Sequence, residues 1–247
     1  MNTTAELDTP AQAIALADQS LGQIAVGLPG ATAIFRRLKL DFCCGGQISL
    51  RQAAQDKHLD LNAVLQELAR LDRPDEAPPV EQPAKLIAHI LERYHAVHRL
   101  QLPELERMAR RVEAVHRDHP DVPAGLAEHL AEMEQELLDH MQKEETVLFP
   151  LLERGGQSWV NQPIAMMRQE HTVHGAALEE MVALAHEMTP PPGACNTWRA
   201  LYSGLQQFHD DLISHIHLEN NLLFPQFDSA AKTETTSTCE SHACGCA

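Results

Sequence analysis

Basic residues are in short supply in this chain: 19 Lys and Arg stand against 35 Asp and Glu, a formal net charge of −16. Neutralising phosphates takes clustered cations, so general affinity for nucleic acid or for an anionic membrane is not expected. Long apolar runs are missing as well, and no stretch approaches the ~20 residues that span a bilayer. The N-terminus, MNTTAELDTP, lacks the basic start and apolar stretch of a secretory signal, so a soluble, cytoplasmic protein is expected. Cysteines are few and poorly placed for a disulfide framework: the adjacent Cys43 and Cys44, the isolated Cys195, and Cys239, Cys244 and Cys246 near the end. Trp and Tyr number only two each. Histidine, by contrast, occurs 15 times, and it is the commonest protein metal ligand.

Hydrophobic residues make up 44% of the 247 positions, enough for a real core in one large domain or two modest ones. Residues 72–83, DRPDEAPPVEQP, break every helical pattern and read as a linker. Residues 1–72 form a small helical domain in this reading. Pro29 can open a helix through Ile34, Phe35 and Leu38, Ser49 can cap another, and residues 61–71 are amphipathic at helical spacing. Between them DFCCGG, residues 41–46, marks a turn. Downstream, residues 84–115, 124–153, 162–188 and 195–228 have helical character and are joined by short breaker-rich loops. The expected fold is therefore all-α, an up-down-up-down four-helix bundle over residues 84–228 behind the small N-terminal domain. Pro103 should kink or distort the first bundle helix. Residues 229–247 read as a disordered tail.

The bundle segments repeat. Residues 137–150 read LLDHMQKEETVLFP and residues 212–225 read LISHIHLENNLLFP; without gaps they share a His, a Glu four positions later, and Leu-Phe-Pro. The first and third segments share His-x-Val-His, at His95 to His98 and His171 to His174. His95 precedes His140 by nearly the interval that separates His171 from His215. A helix pair has been duplicated.

Residues i and i+4 of a helix share a face about 6 Å apart, so His140 with Glu144, and His215 with Glu219, can address one small volume. In an up-down bundle His95 and His171 fall at the same depth as those pairs. A single histidine on an amphipathic helix is more often a surface or hydrogen-bonded residue, and a single His-x-x-x-Glu is an ordinary polar pair. Two copies in a duplicated frame, with two further histidines at matching depth, point instead to cations, because burying these groups without one is costly. The candidate metal ligands are His95, His140, Glu144, His171, His215 and Glu219. Nitrogen and oxygen donors without thiolate disfavour a structural zinc site or an iron–sulfur cluster. Two glutamates can bridge two ions, each keeping two histidines and open positions. That suits iron cycling between its ferrous and ferric states, although the ligand types alone also admit manganese or a mixed pair. Glu136 and Asp211, each four residues before a bundle histidine, are candidates to accept an imidazole N–H, with a solvated face the equal alternative. His98 and His174 read as outer or surface groups, and Glu170 as a candidate for a proton or ion path.

These motifs resemble those of the hemerythrin-like iron–sulfur cluster repair proteins, the YtfE/ScdA/DnrN group. The resemblance runs from about Leu21 to Asp228. It rests on D-F-C-C-G-G, R-Y-H around His95, H-M-x-K-E-E-x-x-L-F-P from His140, E-H at His171 and H-I-x-L-E-N-N-x-L-F-P from His215. It implies a non-haem di-iron site on the six residues named above, bridged by Glu144 and Glu219. It also implies repair of clusters damaged by nitric oxide or oxidants, by supplying iron, with damaged iron–sulfur proteins and nitric oxide as partners. An enzyme reducing nitric oxide, or a reversible nitric oxide or oxygen binder, is the alternative; the fused cysteine-bearing domain favours repair over simple carriage. Adjacent cysteines rarely form a comfortable disulfide, so Cys43 and Cys44 suit a thiol role, whether metal hand-off, nitrosylation or redox exchange, against the bland reading of small residues in a tight turn. Whether they meet the bundle within one subunit or across a homodimer stays open. The tail CESHACGCA, with Cys239, His242, Cys244 and Cys246, departs from the family pattern and either holds a soft ion or is dispensable.

Overall fold

The computed structural model describes residues 15–71, 82–156 and 159–228, and every regular element among them is helical. The Cys-containing tail and all but the last two residues of the expected linker lie outside the described residues. Among the described residues the N-terminal part is built around short helices that include α1 (Leu21–Gly27), α2 (Ala31–Arg37), α3 (Leu50–Asp56) and α4 (Leu61–Ala69). Their starts are fixed by side chains that satisfy otherwise orphaned backbone donors. Ser20 and Gln23 cap each other's backbone N–H groups at α1, Ser49 accepts from Gln52 N, and Asp60 accepts from Asn62 N. Pro29 does not itself open α2. That helix begins after Gly30, whose φ of 90° a residue with a Cβ adopts only at a cost. Leu21, Ile24, Phe35, Leu50 and Leu68 form the centre of this small core.

The remaining helices make four rods. The first is α5 (Pro83–Ile90), a π-helical turn (Leu91–His95) and α6 (Ala96–Val115). The second is α7 (Leu126–Lys143), a π-turn (Glu144–Leu148) and α8 (Phe149–Glu153). The third is α9 (Asn161–Leu184), and the fourth is α10 (Asn196–Leu218), a π-turn (Glu219–Leu223) and α11 (Pro225–Asp228). α6 packs on α7 and α10, and α9 packs on α7. The all-α bundle with its small helical N-terminal region is the architecture the sequence pattern calls for.

The irregularity of the first rod is not at Pro103, through which α6 continues; both Pro103 and Arg99, whose carbonyl loses its partner, are exposed to water. It lies at Leu91–His95, and the two other π-turns open on Glu144 and Glu219. In those two turns Phe149 N and Phe224 N bond back five residues, to the carbonyls of Glu144 and Glu219. The prolines that follow, Pro150 and Pro225, supply no N–H, which favours this local widening of the ladder. Each π-turn thus carries one of the residues picked out by the repeat.

The bundle's apolar interior is divided. One cluster, including Leu130, Leu137, Leu178, Trp198 and Leu205, fills the half nearer the 116–125 loop. Another, including Ile90, Leu148, Phe149, Ile164 and Phe224, fills the opposite end. Between them in sequence on every rod lies a buried polar layer of His95, His98, His140, Glu144, His171, His174, His215 and Glu219. Each fully buried Leu or Phe contributes ~1.5–3 kcal/mol, and the two apolar halves offset the desolvation of that layer.

Candidate metal centre

The rods deliver the six candidate residues to one place, with none of them more than 1% exposed. They fall into two groups of four that share both carboxylates. One holds His95, His215, Glu144 and Glu219; the other holds His140, His171, Glu144 and Glu219. In the first, His95 Nε2 stands 3.2 Å from His215 Nε2 and 3.4 Å from Glu144 Oε2, and His215 Nε2 stands 3.1 Å from Glu219 Oε1. In the second, His171 Nε2 stands 3.1 Å from His140 Nε2 and 2.9 Å from Glu219 Oε2, and His140 Nε2 stands 3.4 Å from Glu144 Oε1. Each carboxylate therefore turns one oxygen to each group. Donor atoms ~2.1 Å from a common ion are ~3.0 Å apart at right angles and ~3.4 Å apart at the tetrahedral angle. The observed separations of 2.9–3.4 Å cover that range.

Neither oxygen of Glu144 has a hydrogen-bond partner, although the side chain is wholly buried. Burial, and then the charge of Glu219, pushes the Glu144 carboxyl well above its usual range. Glu219 is equally buried, but the imidazoles of His215 and His171 outweigh that and hold it well below the usual range. Burial, then His171, pushes His140 down to about 2; burial works the same way on His171, where Glu219 reverses it and raises the group. Two carboxylates and four inward nitrogens in a dry layer are what a pair of divalent cations with nitrogen and oxygen preference requires.

Three of the four imidazoles are held from behind by hydrogen bonds. His95 Nδ1 meets Glu145 Oε1 at 2.7 Å, and Arg99 Nη2 donates to the same oxygen at 2.8 Å. His140 Nδ1 meets Glu170 Oε2 at 2.8 Å, and Lys143 Nζ donates to Glu170 Oε1 at 2.7 Å. His171 Nδ1 meets Asn220 Oδ1 at 2.9 Å. Such bonds fix ring orientation and leave Nε2 as the free donor. Phe149 stacks on His95 and Phe224 on His171, so the repeated Leu-Phe-Pro supplies both a π-turn and a wall for an imidazole.

The residues expected to take this backing role do not. Glu136 is exposed, and Asp211, though buried, accepts from Arg93 Nη2 at 2.6 Å and from Gln101 Nε2 at 3.3 Å rather than from His215. Helical side chains lean toward the N-terminus, so a residue one turn before the histidine leans away from it. Of the three residues that do the work, Glu170 directly precedes His171, and Glu145 and Asn220 follow directly after Glu144 and Glu219 in equivalent places of the repeat, which is the signal that could have found these two. His98 and His174 are buried, not superficial; each lies against one candidate ligand, His215 and His140 respectively, and burial pushes both down to about 3. Cys43 and Cys44 reach the bundle within one chain. Cys44 Sγ is 3.2 Å from the His171 carbonyl oxygen, and Asn220 Nδ2 donates to the Cys43 carbonyl at 2.9 Å.

Residues 86–227 match the family model of the hemerythrin HHE cation binding domain, and residues 17–72 match a domain of unknown function, DUF542. The iron–sulfur cluster repair protein YtfE of Dickeya chrysanthemi is 47% identical over 212 residues, covering 85% of this chain and 96% of that protein. The chain belongs to the hemerythrin-like iron–sulfur cluster repair family. The YtfE protein of Yersinia pseudotuberculosis is 48% identical over 212 residues with the same coverage, and that of Cronobacter sakazakii is 47% identical over 218 residues, 86% of this chain and 97% of that protein. A hemerythrin-like domain binds a di-iron pair, and the two carboxylate-sharing groups are suited to two such ions. Among the described residues, no helix of this family member is long and apolar enough to cross a membrane.

Proposed function

We propose that this protein restores iron–sulfur clusters damaged by nitric oxide or oxidants, supplying iron from a carboxylate-bridged pair held by His95, His140, Glu144, His171, His215 and Glu219. The observation that carries the reading is the pair of buried four-atom groups sharing Glu144 and Glu219, in a chain of which 85% aligns at 47% identity with a cluster repair protein. Bound there, the iron pair would supply labile, redox-active ions. The chain's own residues set how they are held. His140, neutral down to about 2, keeps its Nε2 lone pair available at physiological pH. Glu145 and Glu170, half-buried and steadied by the exposed Arg99 and Lys143, bring carboxylates from His95 and His140 to the water-facing side, a route for protons that replace departing ions. Cys43 and Cys44, resting on the His171 turn, take a thiol role at the exit. The protein's partners are then damaged iron–sulfur proteins, and the cytoplasm, where Cys43, Cys44 and Cys195 stay free thiols, is its compartment.

Four protein donors per ion also leave positions for a small molecule, so nitric oxide binding or reduction at the centre is the second reading. Labelled iron separates the two. The loaded protein is mixed with an enzyme whose cluster has been destroyed by nitric oxide. Supply moves label into the recovering enzyme; label that stays bound while nitric oxide is consumed selects the second reading.

A further inference from the structure

Outside the bundle's donor set, Asp41, Cys43 and Cys44 bring a carboxylate oxygen and two sulfurs within 4.8 Å of one another. Cys43 Sγ is 3.6 Å from Cys44 Sγ and 3.3 Å from Asp41 Oδ1. Two thiolates on one tetrahedral ion stand ~3.8 Å apart, and a thiolate and a carboxylate oxygen ~3.6 Å apart. Three corners of such a site are already in place.

The arrangement is built into the turn. Asp41 Oδ1 accepts from the backbone N–H groups of Cys43, at 3.1 Å, and Cys44, at 2.9 Å, while Oδ2 accepts from Gly45 N at 2.8 Å. These bonds fold the carboxylate back beside both thiols. Gly46 then lets the chain pass against the first helix: a Cβ there would clash with the Phe42 carbonyl oxygen, and Gly46 O accepts from Gly22 N at 2.8 Å. The turn also forms a graded path, with Cys43 buried, Cys44 partly exposed and Asp41 exposed. Its inner end touches the bundle centre through Cys44 Sγ on the His171 carbonyl and through Asn220, which bonds both Cys43 O and His171 Nδ1.

We propose that Asp41, Cys43 and Cys44 form a third metal site, for a thiophilic divalent cation, through which iron passes between the bundle and an acceptor. The site rests on the iron-supply reading for its role but not for its chemistry. An arriving ion displaces the protons of the two thiols, two protons released per ion bound, and no oxidation state changes. Three protein donors leave at least one position for a thiolate of the acceptor, which takes the ion by ligand exchange while Cys43 and Cys44 regain their protons.

Iron-loaded full-length protein under reducing, anaerobic conditions, with Cys195, Cys239, Cys244 and Cys246 replaced by Ser, is titrated with cadmium. The ultraviolet thiolate-to-cadmium band and proton release are followed, and bundle iron is assayed in parallel. The expected result is a band saturating at one cadmium per chain with two protons released and bundle iron retained. Cys43→Ser/Cys44→Ser abolishes it. Asp41→Asn, which keeps the caps on Cys43 N and Cys44 N through its one oxygen and gives up only the bond from Gly45 N, weakens binding by more than roughly tenfold. His140→Ala loses bundle iron and keeps the band. No band, or one that survives Cys43→Ser/Cys44→Ser, overturns the site, as does an unchanged affinity in Asp41→Asn. Where the band is present but labelled iron never reaches an acceptor, the supply reading fails and the site stands. Transfer at an unchanged rate from Cys43→Ser/Cys44→Ser removes the site's role alone.

Discussion

Glu170 and Tyr94 occupy equivalent places in the duplicated hairpins, each just before a candidate ligand, yet they treat the facing imidazole differently. Glu170 accepts the Nδ1 hydrogen of His140 at 2.8 Å, whereas Tyr94 lies flat on His215, ring centroids 5.3 Å apart and planes within 5°. His215 Nδ1 is left without a hydrogen-bond partner. The duplicated centre is therefore asymmetric: at one ion position both imidazoles, His140 and His171, are hydrogen-bonded from behind, whereas at the other only His95 is, by Glu145, and His215 has an aromatic face instead.

That asymmetry predicts unequal ions. Glu170→Ala removes the acceptor behind His140 and should weaken one iron ~10–100-fold while the other stays tight. Equilibrium dialysis against a chelator should resolve two steps in the variant. Glu136→Ala, on an exposed side chain, should leave both unchanged. Identical weakening of both ions would remove the distinction.

Ligand removal gives a coarser test. His140→Ala and Glu219→Ala should lose most bound iron by metal analysis, Glu219 because its oxygens serve both groups. His116→Ala should retain it, since His116 lies beside Cys195 Sγ, at 3.2 Å, and Trp198 in the other half of the bundle. Equal iron in all three variants would sink the ligand assignment.

The docking of the small domain depends on a close backbone crossing. Gly46→Ala should strain the turn and loosen the N-terminal part, at a cost of roughly 1–3 kcal/mol. Iron content should remain that of the parent, because no donor atom of the bundle moves. Hydrogen exchange should show added opening around Gly22 and Asn221, and opening confined to the bundle instead would contradict the packing.

Acidity should destabilise the iron-free protein. His98 and His174 are held down to about 3, His140 to about 2 and His217 to about 4, all chiefly by burial. Unfolding returns them to ~6.5, so below that pH the unfolded chain binds more protons and stability falls with falling pH. Glu144, raised by burial, works in the opposite sense with one proton. Four imidazoles against one carboxyl leave a net uptake of about three protons, a limiting slope of ~4 kcal/mol per pH unit between about pH 6 and 4, to which Glu219, held low in the folded state, adds at the acid end. Urea midpoints that stay flat across this window would mean the imidazoles are already charged in the folded state.

Much of this was legible in the order of residues. Breaker-rich loops between long amphipathic stretches specify four antiparallel rods, and a duplicated His-x-x-x-Glu frame brings imidazoles and carboxylates to one depth, because helical rise converts sequence position into height. Height, however, says nothing of direction around the rod. Only the packed structure shows which residues stand behind each ring, because a helical side chain leans toward the N-terminus and the π-turns shift the register at His95, Glu144 and Glu219. For that reason Glu170, not Glu136, stands behind His140, Asp211 does not reach His215, and Glu145 and Asn220 back the other two rings. The meeting of the Cys43–Cys44 turn with His171 was likewise beyond the sequence, since it joins residues 127 positions apart through contacts that no local periodicity encodes.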